Sequence, residues 1–210
     1  HEIFKGIEIR KNTRDKKIVN EILWSYAWML PQGCNVLDIG GCFGGYSFLA
    51  HKQGAKKIYC FEPDMDNYQM CLLNTRNHNS TKCFNEALTS GHEKEIAFYP
   101  SQGTNKGSHS TIIKRGRGEG IKVKARNFEE VLYELKPDII KMDCEGSEYD
   151  LLVKPLPDFV KKITIEIHLS RKEWKEEKAK KIIKLFDAWQ VHKQPIIGER
   201  NWNTIGAWYR

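Results

Sequence analysis

Two short stretches of the chain place ionisable residues at alternate positions. In "KMDCE", Lys141, Asp143 and Glu145 alternate, and in "EIH", Glu166 and His168 do the same. Both follow apolar runs that read as buried strands. Alternate strand residues share a face, so each stretch presents its charged groups on one side of a strand end. Two chemistries suit such a set. A carboxylate or imidazole beside a hydroxyl removes its proton, with Glu145 or His168 as the general base and Lys141 and Asp143 beside it. An oxygen and nitrogen donor set of Asp143, Glu166 and His168 suits Mg2+ or Mn2+. A structural reading stands beside both: Lys141 pairs with Asp143, Glu145 caps the helix opening at Gly146, and His168 is a satisfied core or rim histidine.

A third stretch, "NVLDIGGCFGGYS" (35–47), carries four glycines within six positions. Glycine is costly to order, so the cluster implies a close approach of backbone to something, and a ligand is the expectation. The pattern is D-x-G-G-x-x-G-G rather than the G-x-G-x-x-G of a dinucleotide site. A carboxylate at the turn suits a cofactor with an ammonium group and a positive sulfur better than a pyrophosphate. Asp38, Gly40, Gly41 and Gly44 are therefore the expected cofactor residues. Glu62 ends the next strand in "CFEPD", 24 positions after Asp38, where doubly wound nucleotide sites set a carboxylate against ribose hydroxyls. Asn85 and Glu86 follow the third strand and, by position alone, face an adenine edge. Asp143 borders the same site.

These residues need elements to position them. An amphipathic helix over 15–30 ends at Pro31, followed by strand 36–39, helix 45–53, strand 57–62 and helix 64–77. Strand 82–88 runs into a loop over 100–120 rich in Gly, Ser, Lys and Arg. Helix 127–135, strand 138–143, helix 146–153, strand 162–169 and a helix from about 171 to 189 come next, and a terminal hairpin closes the chain. Strand–helix alternation over the whole length predicts an α/β fold, a doubly wound, mostly parallel sheet with helices on both faces. Ligands of such sheets bind outside the carboxyl ends of the strands, where all the residues above fall.

The ordered set resembles S-adenosylmethionine-dependent methyltransferases, and within them the FkbM family. "PDIIKMDCEGSEYDLL" (137–152) is the most specific match, and "VLDIGGCFGGYS", "CFEPD", "NEAL" and "ITIEIH" occur in the family's order and spacing. "GGCFG" departs from it, since many members have an Ala-Asn pair after the first glycine. The resemblance spans about residues 34–169 and implies a seven-stranded Rossmann-like class I fold with an antiparallel C-terminal hairpin. It implies S-adenosyl-L-methionine as cofactor and O-methylation of a sugar hydroxyl, on a deoxyhexose such as rhamnose in a glycan or glycoside. Hydrogen-bonding groups at Ser101, Gln102, Asn105, Ser108, His109, Ser110 and Thr111 suit such an acceptor, and Trp24, Trp28, Trp202 and Trp208 are candidate flat surfaces for it.

Composition bounds these readings. The 210 residues, 40% hydrophobic, suit one domain with a helical lead-in over 1–33. The chain begins with His, which fits a methyltransferase domain cut from a longer polypeptide, with a glycosyltransferase domain on the same chain as a candidate partner. No apolar run approaches a membrane span. The six cysteines form no C-x-x-C pair, which argues against zinc and for a reduced, cytoplasmic setting. The net charge of +7 permits an acidic partner but is weak support for nucleic acid. Two other function classes compete. An RNA or nucleotide 2′-O-methyltransferase would use a Lys-Asp-Lys-Glu tetrad, with Lys141 and Asp143 as two members. The other is a non-catalytic cofactor-binding module.

Overall fold

The computed structural model describes residues 1–100, 120–169, 176–193, 195 and 203–210. The chain opens with a small antiparallel hairpin, β1 (Glu2–Phe4) and β2 (Ile7–Ile9), and helix α1 (Asp15–Tyr26), extended by a 3-10 turn over Ala27–Met29. The alternating elements follow: β3 (Asn35–Ile39), α2 (Gly45–Lys52), β4 (Lys57–Phe61), α3 (Met65–Thr75), β5 (Thr81–Phe84) and the short β6 (Ala87–Thr89). Next come β7 (Glu95–Phe98), β8 (Ile121–Asn127), α4 (Phe128–Leu135), β9 (Ile139–Met142) and α5 (Glu148–Leu151). The chain closes with β10 (Lys162–His168), α6 (Glu176–Lys184), β11 (Gln190–Lys193) and β12 (Asn203–Tyr209).

Seven strands form one sheet in the order β11-β12-β10-β9-β3-β4-β5. The pairs β10–β9, β9–β3, β3–β4 and β4–β5 are parallel, while β12 runs against both its neighbours as the expected terminal hairpin. The predicted α/β class and doubly wound sheet are therefore the observed ones. One face of the sheet (Leu37, Ile39, Phe61, Ile140, Met142 and the three isoleucines of β10) packs on α4, α5 and α6. The other, with Val36, Ile58 and Ile139, packs on α1 and α2 through Ile22, Tyr26, Tyr46 and Ala50.

Three features were not legible in the sequence. The segment expected as one strand over 82–88 breaks at Asn85 and Glu86, because Asn85 turns its amide onto the carbonyls of Glu62 and Pro63, each at 3.0 Å. Beyond the break, β6, β8 and β7 make a separate three-stranded sheet, whose alternation is masked by the lysines of β8. The third is the β1–β2 hairpin, with only three residues in each strand. Residues 101–119, with the hydrogen-bonding groups singled out there, and Trp202 lie outside the described residues. Of the other tryptophans, Trp208 is core, stacked on Phe186 at 4.6 Å. Trp28 stacks on His192 at 4.1 Å, and Trp24 stands in solvent.

Candidate active site

The glycine turn links β3 to α2, and side chains at Gly40 and Gly41 would collide with neighbouring protein atoms. A methyl group on Gly40 would lie 1.8 Å from the carbonyl oxygen of Asp143, and one on Gly41 would lie 2.0 Å from Cys60 Sγ. Gly40 and Gly44 also hold φ of +72° and +82°, which a side chain disfavours. Cys42 between them adopts φ of +51° without that freedom. Its amide donates to Glu62 Oε2 at 2.8 Å, so the strained turn is tied to the end of β4.

Asp38 and Lys141 are register partners on adjacent strands, and both are buried. Lys141 Nζ lies 3.3 Å from Asp38 Oδ1 and donates to the Gly40 carbonyl at 2.6 Å. Ser47 donates to Asp38 Oδ2 at 2.7 Å. Burial alone would lower the lysine pKa, but Asp38 and then Asp143 outweigh it and hold the ammonium charged. Asp38 is thus an internal anchor of the turn. Lys141 does pair with Asp143, but only at 4.0 Å, and its closer partner is Asp38.

Glu62 is 5% exposed and accepts from the amides of Cys42 and Asp64, each at 2.8 Å. Burial pushes its carboxyl up to about 7, against the pull of those two amides. Asp64 caps α3 by accepting from the Asn67 amide at 2.9 Å.

A cleft of about 250 Å³ opens over these strand ends. Gly40, Cys42, Glu62, Pro63 and Glu86 line one part, Asp143, Cys144, Glu145 and Glu166 another, with Leu88 and Phe98 as apolar wall. Of the sequence-predicted residues, Asp38, Gly41, Gly44, Asn85, Lys141 and His168 are not among the lining residues, and they act from behind it.

His168 is the hub of the acidic part. Its Nδ1 lies 3.1 Å from Glu148 Oε1, which also accepts from the His168 amide at 2.8 Å. Its Nε2 faces Glu145 at 3.6 Å, Glu166 at 3.9 Å and Asp143 at 4.0 Å. Burial would push the imidazole pKa down, but Glu148, Glu145 and Glu166 together raise it to about 10. That direction keeps a proton on the resting ring. Burial, with the like charges of Asp143 and Glu145, pushes Glu166 up to about 8. Glu145 holds a left-handed φ of +50°, a strained conformation at the cleft edge.

Sequence reasoning missed Glu148, which is fully buried. It takes the role assigned to Glu145, accepting from the Gly146 amide at 2.8 Å. Its position one turn after Glu145, in a helix opening at that point, was the available signal.

Asp143, Glu166 and His168 each offer a ligand atom, all within 4.8 Å of one another. The donor set fits a hard divalent cation, and a histidine whose other nitrogen is held by a carboxylate is the usual support for a metal ligand.

The fold recurs in solved methyltransferases. The putative methyltransferase yhhF from Escherichia coli aligns at 13% identity and TM-score 0.51, over 97% of this chain and 90% of the other. Precorrin-6y C5,15-methyltransferase from Geobacter metallireducens GS-15 aligns at 12% and 0.51, over 97% and 94%. Magnesium protoporphyrin IX methyltransferase from Synechocystis PCC 6803, solved with bound SAM, aligns at 13% and 0.51, over 97% and 86%. Among curated proteins none matches the chain significantly. The family model described as the methyltransferase FkbM domain matches residues 38–192, from the anchor of the glycine turn through the acidic cluster to the terminal hairpin, and the chain belongs to that family.

Proposed function

We propose that this methyltransferase takes S-adenosylmethionine as its methyl donor and methylates a sugar hydroxyl, on a deoxyhexose such as rhamnose within a glycan or glycoside. The observation that carries the reading is the single cleft that joins Glu62 and the glycine turn to Asp143, Glu145 and Glu166. Glu62, rigidly oriented by two amides, has lone pairs left to accept from ribose hydroxyls. Glu86 borders the adenine, and Asn85 serves by fixing the backbone at Glu62 and Pro63. The bound donor supplies an electrophilic methyl group, and the protein's task is to align an acceptor oxygen and remove its proton.

Glu166 is the base in this reading. It lines the cleft, and its proton affinity, about 8, is matched to a hydroxyl acceptor near neutral pH. The His168 imidazolium, fixed by Glu148, stabilises the surrounding carboxylates, and Asp143 and Glu145 orient the acceptor. Lys141 is spent on Asp38 and Gly40, which counts against the tetrad of an RNA 2′-O-methyltransferase. Incubation with labelled S-adenosylmethionine and a panel of glycans, nucleosides and RNA tests the reading. Label in rhamnosyl glycans is expected, and faster labelling of RNA or nucleosides overturns it.

The held Nδ1 of His168 favours a second reading, in which Asp143, Glu166 and His168 hold Mg2+ or Mn2+ to orient the acceptor. Full activity in excess EDTA would reject it.

A further inference from the structure

We propose that Cys60, Cys71 and Cys83 form a binding site for a soft d10 cation, Zn2+ or Cu+, on the back of the glycine turn. Cys60 and Cys83 are register partners on the adjacent parallel strands β4 and β5, so their side chains share a face. Cys71 comes down onto them from α3. Its sulfur lies 3.4 Å from Cys60 Sγ and 3.0 Å from Cys83 Sγ, and all three sulfurs fall within 4.8 Å of one another. The chain therefore assembles from 60, 71 and 83 what its sequence spacing does not advertise.

The chemistry favours a cation over three inert apolar thiols. Zn–S bonds of about 2.3 Å set sulfurs about 3.8 Å apart around one ion, so the two edges at Cys71 have to open by less than about 1 Å. Thiolate sulfur selects Zn2+ and Cu+ over hard cations. The Thr75 hydroxyl lies 3.5 Å from Cys83 Sγ, a polar neighbour on the open side of the cluster. Cys60 and Cys71 are buried, whereas Cys83 is only partly so and provides the entry. Binding releases the thiol protons, leaving three thiolates on one cation. A disulfide would use only two of the three sulfurs.

The site also has a direct mechanical neighbour. Added methyl groups on Gly41 and Gly44 would lie 2.0 Å from Cys60 Sγ and 2.9 Å from Cys71 Sγ. The sulfurs are thus the floor of the turn, and an ion that spreads them acts on it.

Titration of the reduced, metal-free protein with Cd2+, a spectroscopic stand-in for Zn2+, tests the proposal. One equivalent should bind with a thiolate-to-metal charge-transfer band. Cys83→Ser should weaken binding by about tenfold or more and remove about a third of the band, while Cys34→Ser and Cys144→Ser leave both unchanged. Zn2+ should raise the melting temperature of the parent protein but not of Cys83→Ser. Competition of Cd2+ against Zn2+ and against Cu+ then identifies the preferred ion. Absence of the band with all six thiols free, an undiminished band in Cys83→Ser, or a Cys71–Cys83 disulfide that forms in air and leaves Zn2+ without effect on the reduced protein would each overturn the site. None of these readouts depends on methyl transfer.

Discussion

The two ends of the cleft are built on opposite principles. At the glycine-turn end the two most buried carboxylates are matched: Asp38 has Lys141 and Ser47, and Glu62 has two backbone amides. At the β9–β10 end, four carboxylates (Asp143, Glu145, Glu148 and Glu166) surround one imidazole. The first arrangement fixes a shape. The second leaves surplus negative charge in a partly dry site, which raises proton affinities there, Glu166 to about 8 and His168 to about 10. A non-glycine residue in the left-handed region stands at each end, Cys42 and Glu145, so backbone strain marks both. The contrast matches the proposed division of labour, holding at one end and chemistry at the other.

The most severe break in that contrast is Glu166→Gln. It keeps the shape and removes the charge, so kcat should fall by about 10²–10⁴ with affinity for S-adenosylhomocysteine little changed. In the parent enzyme the active form needs Glu166 ionised and His168 protonated. Activity should therefore rise with pH through about 8 and fall through about 10, and Glu166→Gln should lose the lower limb. Retained turnover would move the base to Glu145.

The opposite end should fail by unfolding rather than by slow chemistry. Lys141→Met leaves the Asp38 carboxylate buried without its cation, which costs about 3–5 kcal/mol in urea denaturation. The double variant Lys141→Met/Asp38→Asn removes both charges and should recover much of the loss. A single variant as stable as the parent would show that the pair does not anchor the turn.

These two ends were unequally legible in the sequence. The strand-end positions of Asp38, Glu62, Asp143, Glu166 and His168 followed from apolar periodicity, because parallel strands place their carboxyl ends together. Their partners did not follow. That Lys141 faces Asp38 rather than Asp143 is a matter of register between β3 and β9, which no local pattern encodes. That Glu148 rather than Glu145 receives the Gly146 amide depends on the left-handed turn at Glu145 and Gly146. The glycines were legible as a close approach, but not as an approach to the Asp143 carbonyl and the cysteine sulfurs. Roles that depend on which strand lies beside which appear only in three dimensions.

A smaller effect probes the holding end directly. Glu62→Ala should weaken S-adenosylhomocysteine binding by about 1.5–3 kcal/mol, the value of a hydrogen bond to a charged group. Calorimetry showing unchanged affinity would remove Glu62 from the ribose contact and leave it as a clamp on Cys42 and Asp64.

The finest test separates the charge of this end from its geometry. Glu62 ionises near 7 in the folded chain, above the 4.5 of a free glutamate, so between those values the folded protein holds a proton that the unfolded chain has lost. Stability of the unliganded protein from this group is therefore full below about 4.5 and declines as pH rises through about 7. In the proposed ribose contact ligand affinity should run the other way, because ribose hydroxyls would donate to the carboxylate form and binding should strengthen across the same range. Asp64 contributes to the raised value by like charge, after burial, while its side chain also caps α3. Asp64→Asn retains an oxygen to accept from the Asn67 amide and deletes only the charge. The helix should stay intact by circular dichroism, while the pH midpoint of S-adenosylhomocysteine binding drops by on the order of half a unit. An unmoved midpoint with an intact helix would mean that burial alone sets Glu62, and that the holding end is tuned by shape without help from its neighbouring charge.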